Sequence, residues 1–142
     1  MNGHCDAIQI LSESRLSKTP HRISVLEVLI RAERLLSAAE IADVMDRTKG
    51  INKVTIYRML TTFKRAGIVR EIATQQGVKH YEIACRHNPV HPHFYCVKCR
   101  TLACLSEIDS PAYQKWLKGF DFEADCVSIH ISGVCAQCHG KE

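Results

Sequence analysis

Apolar residues at helical spacing dominate the first 67 residues of the chain. Each of the clearest predicted helices follows a residue that commonly caps a helix N-terminus, and these caps are Thr19, Ser37 and Asn52. Pro20 suits the first turn of one helix, and Glu40 completes a capping box at the start of the next. Gly67 predicts the end of the third. Residues 6–16 are a weaker and more polar helix candidate.

The pattern then changes to strands. Residues 68–72 and 79–83 flank a Gln75-Gln76-Gly77 turn, and together they predict a β-hairpin. Helices followed by a two-stranded hairpin have the order of a winged helix-turn-helix. The sequence therefore predicts a winged-helix domain over residues 1–85.

The second part of the chain begins with a stretch rich in proline and histidine, residues 86–93, which predicts a hinge or linker. The elements predicted after it are two short strands, a helix and a half-buried strand with alternating apolar positions, at residues 94–96, 101–105, 110–119 and 127–132. The predicted fold class is therefore α+β, a winged helix-turn-helix followed by a small α/β domain over residues 94–142.

The distribution of charge along the chain indicates an anionic partner. The 142 residues carry a formal net charge of +4, and no acidic residue occurs between Arg47 and Arg70. A helical projection of residues 53–66 places apolar side chains on one side and basic, hydroxyl and aromatic side chains on the other. Such a face suits the major groove of double-stranded DNA, although a merely solvated basic face is the alternative. The candidate DNA-binding residues are Lys53, Thr55, Tyr57, Arg58, Thr61 and Arg65.

Two sequence features that we do not find predict where the protein is located. No apolar run reaches the length of a membrane span, and the first residues do not have the pattern of a signal peptide. We therefore expect a cytoplasmic protein with no membrane partner. In that compartment, the eight cysteines favour metal binding over a disulfide framework.

Two Cys-x-x-Cys motifs, Cys96 with Cys99 and Cys135 with Cys138, are the strongest chemical signal. Two residues between cysteines let a tight turn direct both thiolates at one ion, and two such turns complete a tetrahedral sulfur site suited to Zn(II). Because the protein fills all four positions, the predicted site is structural and not catalytic. Two redox-active cysteine pairs are the alternative.

A looser group of possible ligands lies around the hairpin and the linker: Glu71, His80, Glu82, Cys85, His87, His91 and His93. Because His91 and His93 alternate, an extended segment would project both rings to the same side. A thiolate, two imidazoles and a carboxylate would form a tetrahedral zinc site. The alternative is a polar linker that carries exposed histidines.

Two other function classes explain less of the sequence. His80-x-Glu82 followed by Cys96-x-x-Cys99 is similar to the nucleobase-deaminase signature, but Tyr95 replaces its proline and the second cysteine pair would have no role. A zinc-ribbon interaction module explains the four cysteines but not the basic helix. We therefore expect neither enzymatic activity nor a small-molecule substrate.

Together these motifs resemble the ferric uptake regulator (Fur) family over nearly the whole chain. The matching pieces are Thr19-x-x-Arg22-x-x-Val25-Leu26, Ser37-Ala38-x-Glu40-Ile41, Thr55-Ile56-Tyr57-Arg58-x-Leu60, Gly67-Ile68-Val69, His80-Tyr81-Glu82, His91-x-His93-x-x-Cys96-x-x-Cys99 and Gly133-x-Cys135-x-x-Cys138. The resemblance implies a homodimer with an N-terminal winged helix and a C-terminal dimerisation domain. It also implies a structural four-cysteine zinc, a regulatory metal at the hinge, and DNA contacts by Tyr57 and Arg58.

The ligand pattern resembles the zinc-responsive branch of this family. That branch takes a carboxylate, a cysteine after the hairpin and two linker histidines as regulatory ligands, which here are Glu71, Cys85, His91 and His93. His80 and Glu82 remain alternative ligands. Iron-sensing members carry a histidine just before the Ser-Ala-x-Glu piece, where this chain has Leu35 and Leu36. We therefore expect two zinc ions per subunit, one structural and one regulatory.

The resemblance implies a zinc-sensing repressor of metal-uptake genes. Zinc at the hinge would order the two winged helices of a dimer and favour binding to a pseudo-palindromic operator. The alternative is an iron-, manganese- or peroxide-responsive regulator of the same family. The chain departs from the family pattern where Arg100 replaces the glycine that usually follows the second cysteine of the first pair.

Overall fold

The computed structural model of the chain describes residues 5–32, 34–74, 77–84, 90–105, 110–124 and 127–140. The chain forms two compact units, Met1–Asn88 and Pro89–Glu142. Helices precede small sheets along the chain, which confirms the predicted α+β fold class. The domain bounds and the linker at 86–93 stay predictions, since residues 85–89 lie outside the described part.

The first unit is built from helices and one small sheet. Its elements are α1 (Ala7–Glu13), α2 (Pro20–Arg31), β1 (Leu36–Ser37), α3 (Ala38–Lys49), α4 (Lys53–Arg65), β2 (Val69–Ala73) and β3 (Lys79–Ile83). The strand order is β1-β3-β2, and both pairings are antiparallel. The predicted helices and hairpin are thereby confirmed. Strand β1 was not predicted, because two residues are too few to show an alternating pattern.

Helix caps explain where the helices of the first unit begin. Ser37 and Glu40 form both hydrogen bonds of the predicted capping box, each 3.1 Å long. The Asn52 carboxamide oxygen accepts the backbone N–H of Thr55 at 3.0 Å, which fixes the start of α4. Helix α4 ends at Arg65, and Gly67 then takes a left-handed φ of 76°, a conformation that glycine adopts without strain. These local signals were all visible in the sequence.

The core of the first unit lies between the helices and the sheet. The side chains of Leu26, Ile41, Phe63 and Ile83 are fully buried there. Helix α4 contributes its whole apolar face, which consists of Ile56, Met59, Leu60 and Phe63. Burial of this face against the core leaves the opposite, polar face of α4 turned outward.

The second unit contains β4 (His93–Cys96), β5 (Leu102–Cys104), α5 (Ser110–Leu117), β6 (His130–Gly133) and α6 (Ala136–His139). The strand order is β5-β4-β6, with β4 antiparallel to β5 and parallel to β6. The two short strands and the helix were predicted close to their observed positions. Helix α6, with only four residues, was not.

The prediction for the last strand was wrong in extent and in burial. Strand β6 begins at His130 and not at Val127, and Ile131 on this strand is 45% exposed. The apolar alternation was real, but within a single chain the second unit offers few apolar side chains to cover this strand. Among the described residues, no helix combines the length and the apolar character needed to cross a membrane.

Candidate metal centres and nucleic-acid interface

The two Cys-x-x-Cys motifs meet in the second unit. The Sγ atoms of Cys96, Cys99, Cys135 and Cys138 all lie within 4.8 Å of one another. Cys96 ends β4, and Cys135 is the residue just before α6. The parallel pairing of β4 with β6 aligns Cys96 with Gly133, which brings the second motif beside the first.

The spacing of the sulfurs fits a zinc ion. A tetrahedral ion with Zn–S bonds of about 2.3 Å places its sulfurs about 3.8 Å apart. The Sγ atoms of Cys99 and Cys135 are 3.7 Å apart. Cys96 Sγ accepts backbone N–H groups from Cys99 at 3.5 Å and from Cys135 at 3.4 Å, which is the support that a thiolate ligand needs. These four residues would hold the ion with no position open to a substrate.

The turn within the first motif has an unusual backbone. The Arg100 N–H donates to the Cys96 carbonyl at 2.8 Å and closes the turn around the two cysteines. Arg100 has a φ of 66°, in the left-handed region that glycine tolerates best. The glycine expected from the family resemblance therefore has a conformational basis, and arginine at this position carries some backbone strain.

The thiols of this cluster differ in acidity. The backbone N–H donors of Cys99 and Cys135 lower the pKa of Cys96 to about 6. The Thr101 hydroxyl, 3.1 Å from the Cys99 sulfur, lowers the pKa of Cys99. A hydrogen bond with the neighbouring Cys135 thiol is the largest cause that raises the pKa of Cys138, to about 12, and burial acts in the same direction. A divalent cation would bind these sulfurs as thiolates by replacing the thiol protons.

His91, His93 and Cys104 form a second group of donors in the second unit. One ligand atom of each lies within 4.8 Å of those of the other two. The ring centroids of the two histidines are 4.5 Å apart, and His93 on β4 lies directly opposite Cys104 on β5. Both histidines are buried, whereas Cys104 is exposed. The structure thus brings two predicted regulatory ligands together and adds a cysteine that was not predicted.

Glu71, the predicted carboxylate ligand, is engaged inside the first unit. Its Oε1 accepts a hydrogen bond from Lys64 Nζ at 3.1 Å and lies 3.8 Å from Lys79 Nζ, while its Oε2 accepts the Tyr81 hydroxyl at 2.9 Å. Burial raises the pKa of Glu71, but the hydrogen bonds from Lys64 and Tyr81 together with the two lysine charges outweigh burial and hold it below its usual value. The carboxylate is therefore ionised at neutral pH, as a metal ligand must be. An incoming metal ion would have to displace Lys64.

The remaining predicted ligands have different surroundings. Glu82 on β3 is buried and accepts a hydrogen bond from Arg70 Nε at 3.0 Å. On the same strand, the buried Nδ1 of His80 has no hydrogen-bond partner within the described residues. Cys85 and His87 lie outside the described part of the chain, so Cys85 stays a prediction from the sequence.

The polar face of α4 is open to solvent. It lines a shallow surface depression made by Val54, Tyr57, Arg58, Thr61, Thr62 and Arg65. Tyr57 is 44% exposed, and the predicted contact residues Lys53, Arg58, Thr61 and Arg65 are exposed as well. Thr55 differs from them, because its hydroxyl donates to the Asn52 side chain at 3.0 Å and is part of the helix cap.

Cys104 is the candidate ligand that the sequence analysis missed. An isolated cysteine at the end of a short strand carries no spacing motif. The position of Cys104 could have been inferred from the pairing register, because the turn at residues 96–99 joins two short strands. Counting back from this turn places Cys104 opposite His93, as the structure does.

Comparison with known proteins places this chain in a family of metal-responsive regulators. A family model described as "Ferric uptake regulator family" matches residues 13–123. The chain is 33% identical over 134 residues to the "Ferric uptake regulation protein" of Staphylococcus aureus (strain Mu50), and the match covers 94% of this chain and 96% of that one.

Solved structures show the same fold. The chain is similar to the Vibrio cholerae ferric uptake regulator, with 28% identity, a TM-score of 0.69, and coverage of 89% of this chain and 98% of that one. It is also similar to the ferric uptake regulator of Pseudomonas aeruginosa with manganese, with 22% identity, a TM-score of 0.76, and coverage of 93% and 99%.

Proposed function

Because the chain belongs to the ferric uptake regulator family of metal-responsive, DNA-binding transcription regulators, which are not enzymes, we propose that it is a zinc-sensing repressor of metal-uptake genes. The observation that carries this proposal is the pair of buried imidazoles, His91 and His93, with ring centroids 4.5 Å apart, in a sequence that supplies a cysteine at position 85. Nitrogen and sulfur donors together favour Zn(II) over Fe(II).

The proposed regulatory ion is bound by Glu71, Cys85, His91 and His93, with His80 and Glu82 as alternative ligands. Iron-sensing members carry a histidine ligand where this chain has Leu35 and Leu36. Both leucine side chains are buried and contain no atom that could bind a metal ion, which supports zinc as the sensed metal. A structural zinc on Cys96, Cys99, Cys135 and Cys138 gives two zinc ions per subunit. The named relatives favour a second candidate function, since they are ferric uptake regulators and one was solved with manganese.

We propose that the outward face of α4 reads DNA in the major groove. Its exposed arginines and lysines would suit contacts to the phosphate backbone, and Tyr57 and Thr61 on the same face would reach base edges. A homodimer would present two such helices and would therefore bind a pseudo-palindromic operator.

The contacts of Glu71 support a physical link between metal and DNA. Lys64 extends from the flank of α4, its side chain is 54% exposed, and Glu71 neutralises it at 3.1 Å. Coordination of zinc by Glu71 would release this ammonium group. The released charge is then free to meet a phosphate, so metal binding raises the affinity of α4 for DNA through the same carboxylate.

The metal proposal is tested by titrating operator binding against free Zn(II) and free Fe(II) for the wild type and for Cys85→Ser. We expect wild-type activation at a lower concentration of Zn(II) than of Fe(II). We expect Cys85→Ser to retain one zinc per subunit and to lose most of the zinc response, a coupling that is typically about 5–150-fold in such linked sites. Cys5→Ser, which makes the same chemical change elsewhere, should behave as wild type. Activation by Fe(II) at the lower concentration would establish the second candidate function instead.

The DNA proposal is tested with Tyr57→Ala and Arg58→Ala. Tyr57→Ala should relax sequence preference, whereas loss of a phosphate contact at Arg58 should weaken binding to all sequences and reduce the salt slope by about one unit. Lys118→Ala removes an exposed charge from the second unit and serves as the control. If both α4 variants bind the operator as wild type does, another element reads the DNA.

A further inference from the structure

Val54 is an exposed apolar residue on the face of α4 that is proposed to read DNA. It lies in the first turn of the helix, its side chain is 59% exposed, and it lines the surface depression together with Tyr57, Arg58 and Arg65. We infer that Val54 is a specificity-determining residue that contacts the 5-methyl group of a thymine in the major groove. The inference rests on the proposed function, because it needs a DNA duplex bound to this face.

The threonine hydroxyl groups of α4 already donate hydrogen bonds within the helix and its cap. Thr61 and Thr62 each donate to the backbone carbonyl four residues earlier, at 3.0 and 3.1 Å, and Thr55 donates to the Asn52 side chain at 3.0 Å. A hydroxyl group has one proton to donate, so these side chains offer a base their methyl groups and acceptor oxygens but no donor. The face is therefore less polar towards a base than its composition indicates.

The properties of valine favour a contact with a ligand over a role in the helix. Valine has a lower helix propensity than the lysine, arginine or glutamate that commonly occupy exposed helical positions. Because valine branches at Cβ, a helix holds its side chain largely in one rotamer, so its methyl groups keep a fixed direction and lose little entropy on contact. Single exposed apolar residues are common, but Val54 shares the depression with the ring of Tyr57, which is 44% exposed.

The charges around Val54 select the occupant. Lys53 and Arg58 are exposed beside it, and the sequence has no acidic residue between Arg47 and Arg70. An apolar group inside a cationic face suits a ligand that carries both phosphates and methyl groups. Among the four bases of DNA, thymine alone presents a methyl group in the major groove, and apolar side chains read it by direct contact. Residues near the start of a recognition helix are those that reach base edges, so Val54 selects thymine in each half-site.

The test uses duplexes that the full-length wild type enriches from a random library, with whichever of Zn(II), Fe(II) and Mn(II) supports retention. Each thymine is replaced in turn by deoxyuridine, which removes the 5-methyl group and leaves base pairing intact. Loss of one buried methyl group corresponds to about a fourfold loss of affinity. The wild type should therefore bind about fourfold more weakly when the contacted thymine of one half-site is replaced, and about 15-fold more weakly when both are. Val54→Ala should bind the original duplex more weakly and should not respond to replacement of that thymine.

Val54→Ile keeps an apolar side chain at this position and should retain the response to deoxyuridine. Val97→Ala truncates a valine of the second unit that is 45% exposed, and it should match the wild type. Val54→Ala changes no charge, so its salt slope should equal that of the wild type. If Val54→Ala responds to deoxyuridine at every thymine as the wild type does, the inference is wrong while the DNA proposal stands. If the wild type enriches no duplex with any of the three metal ions, the proposed function fails and the inference fails with it.

Discussion

The first unit buries apolar side chains from each of its helices and strands, whereas in the second unit only Pro92, Tyr95 and Cys96 are buried among the described apolar residues. The two units therefore differ in what can stabilise each of them. An apolar core is sufficient explanation for the first. A segment as short as the second rarely forms a sufficient core and needs a metal ion, a partner or both.

The exposed side chains of the second unit indicate what the partner would cover. Trp116 and Phe120 are in edge contact with ring centroids 5.0 Å apart, and Phe120 stacks on Phe122 at 5.5 Å. All three are at least 47% exposed. A cluster of exposed aromatic rings is typical of an interface, which supports the proposed homodimer.

The largest expected effect follows from removing the proposed structural zinc. Cys96→Ser or Cys138→Ser should unfold the second unit and leave the first folded, because zinc contributes about 10–16 kcal/mol in small domains that fold around it. Trp116 is the only tryptophan of the chain and reports on the second unit, while helical circular dichroism reports mainly on the first. Unchanged zinc content would show that these cysteines do not hold the ion, and loss of zinc with unchanged Trp116 emission would show that the second unit does not depend on it.

A substitution in the core of the first unit should destabilise that unit and leave the second unit folded. Phe63→Ala is expected to destabilise the first unit by about 3–5 kcal/mol, since a fully buried ring is replaced by a cavity. Denaturant unfolding followed by circular dichroism measures the loss, and zinc content should stay the same. Val54→Ala on the same helix, at a position 59% exposed, is the control and should change stability by less than about 0.5 kcal/mol. Equal effects of the two substitutions would contradict the proposed core.

Loss of an aromatic side chain from this cluster should weaken dimer formation only. Trp116→Ala should weaken the dimer by about 2 kcal/mol, or roughly 30-fold in Kd, as expected for a central aromatic residue of an interface. Sedimentation equilibrium measures the dissociation, and Lys118→Ala is the neighbouring control. A dimer as tight as wild type would place the interface elsewhere on the second unit.

The smallest expected effect concerns the backbone at Arg100. Arg100→Gly should stabilise the second unit by no more than about 1 kcal/mol, because relief of the left-handed strain is partly offset by the greater freedom of glycine in the unfolded chain. The midpoint of thermal unfolding of the zinc-loaded protein, followed by Trp116 fluorescence, measures the change. Destabilisation would mean that the arginine side chain contributes more than its backbone costs.

Prediction from the sequence succeeded where the signal was local. The caps at Ser37 and Asn52 and the apolar face of α4 depend on residues a few positions apart, and all were confirmed. Features that depend on pairing between distant strands were missed or misjudged. These are β1, which pairs with β3, the position of Cys104 opposite His93, and the exposure of β6. The regulatory ligand set, Cys85 above all, stays a prediction.

Strands β4 and β6 are parallel neighbours, although His93 pairs with His130 far along the chain. Each sheet combines a short hairpin with one strand from a distant part of the chain, and in the second unit this distant strand must be found by a search along the chain. A zinc ion that joins Cys99 to Cys135 closes this loop, and by analogy with a covalent cross-link over a similar length it removes about 4 kcal/mol of chain entropy from the search. Zinc supply would then set how soon a newly made chain becomes able to pair with a second copy. In zinc-poor cells the delay itself would limit the proposed repression, before any equilibrium at the proposed regulatory site is reached.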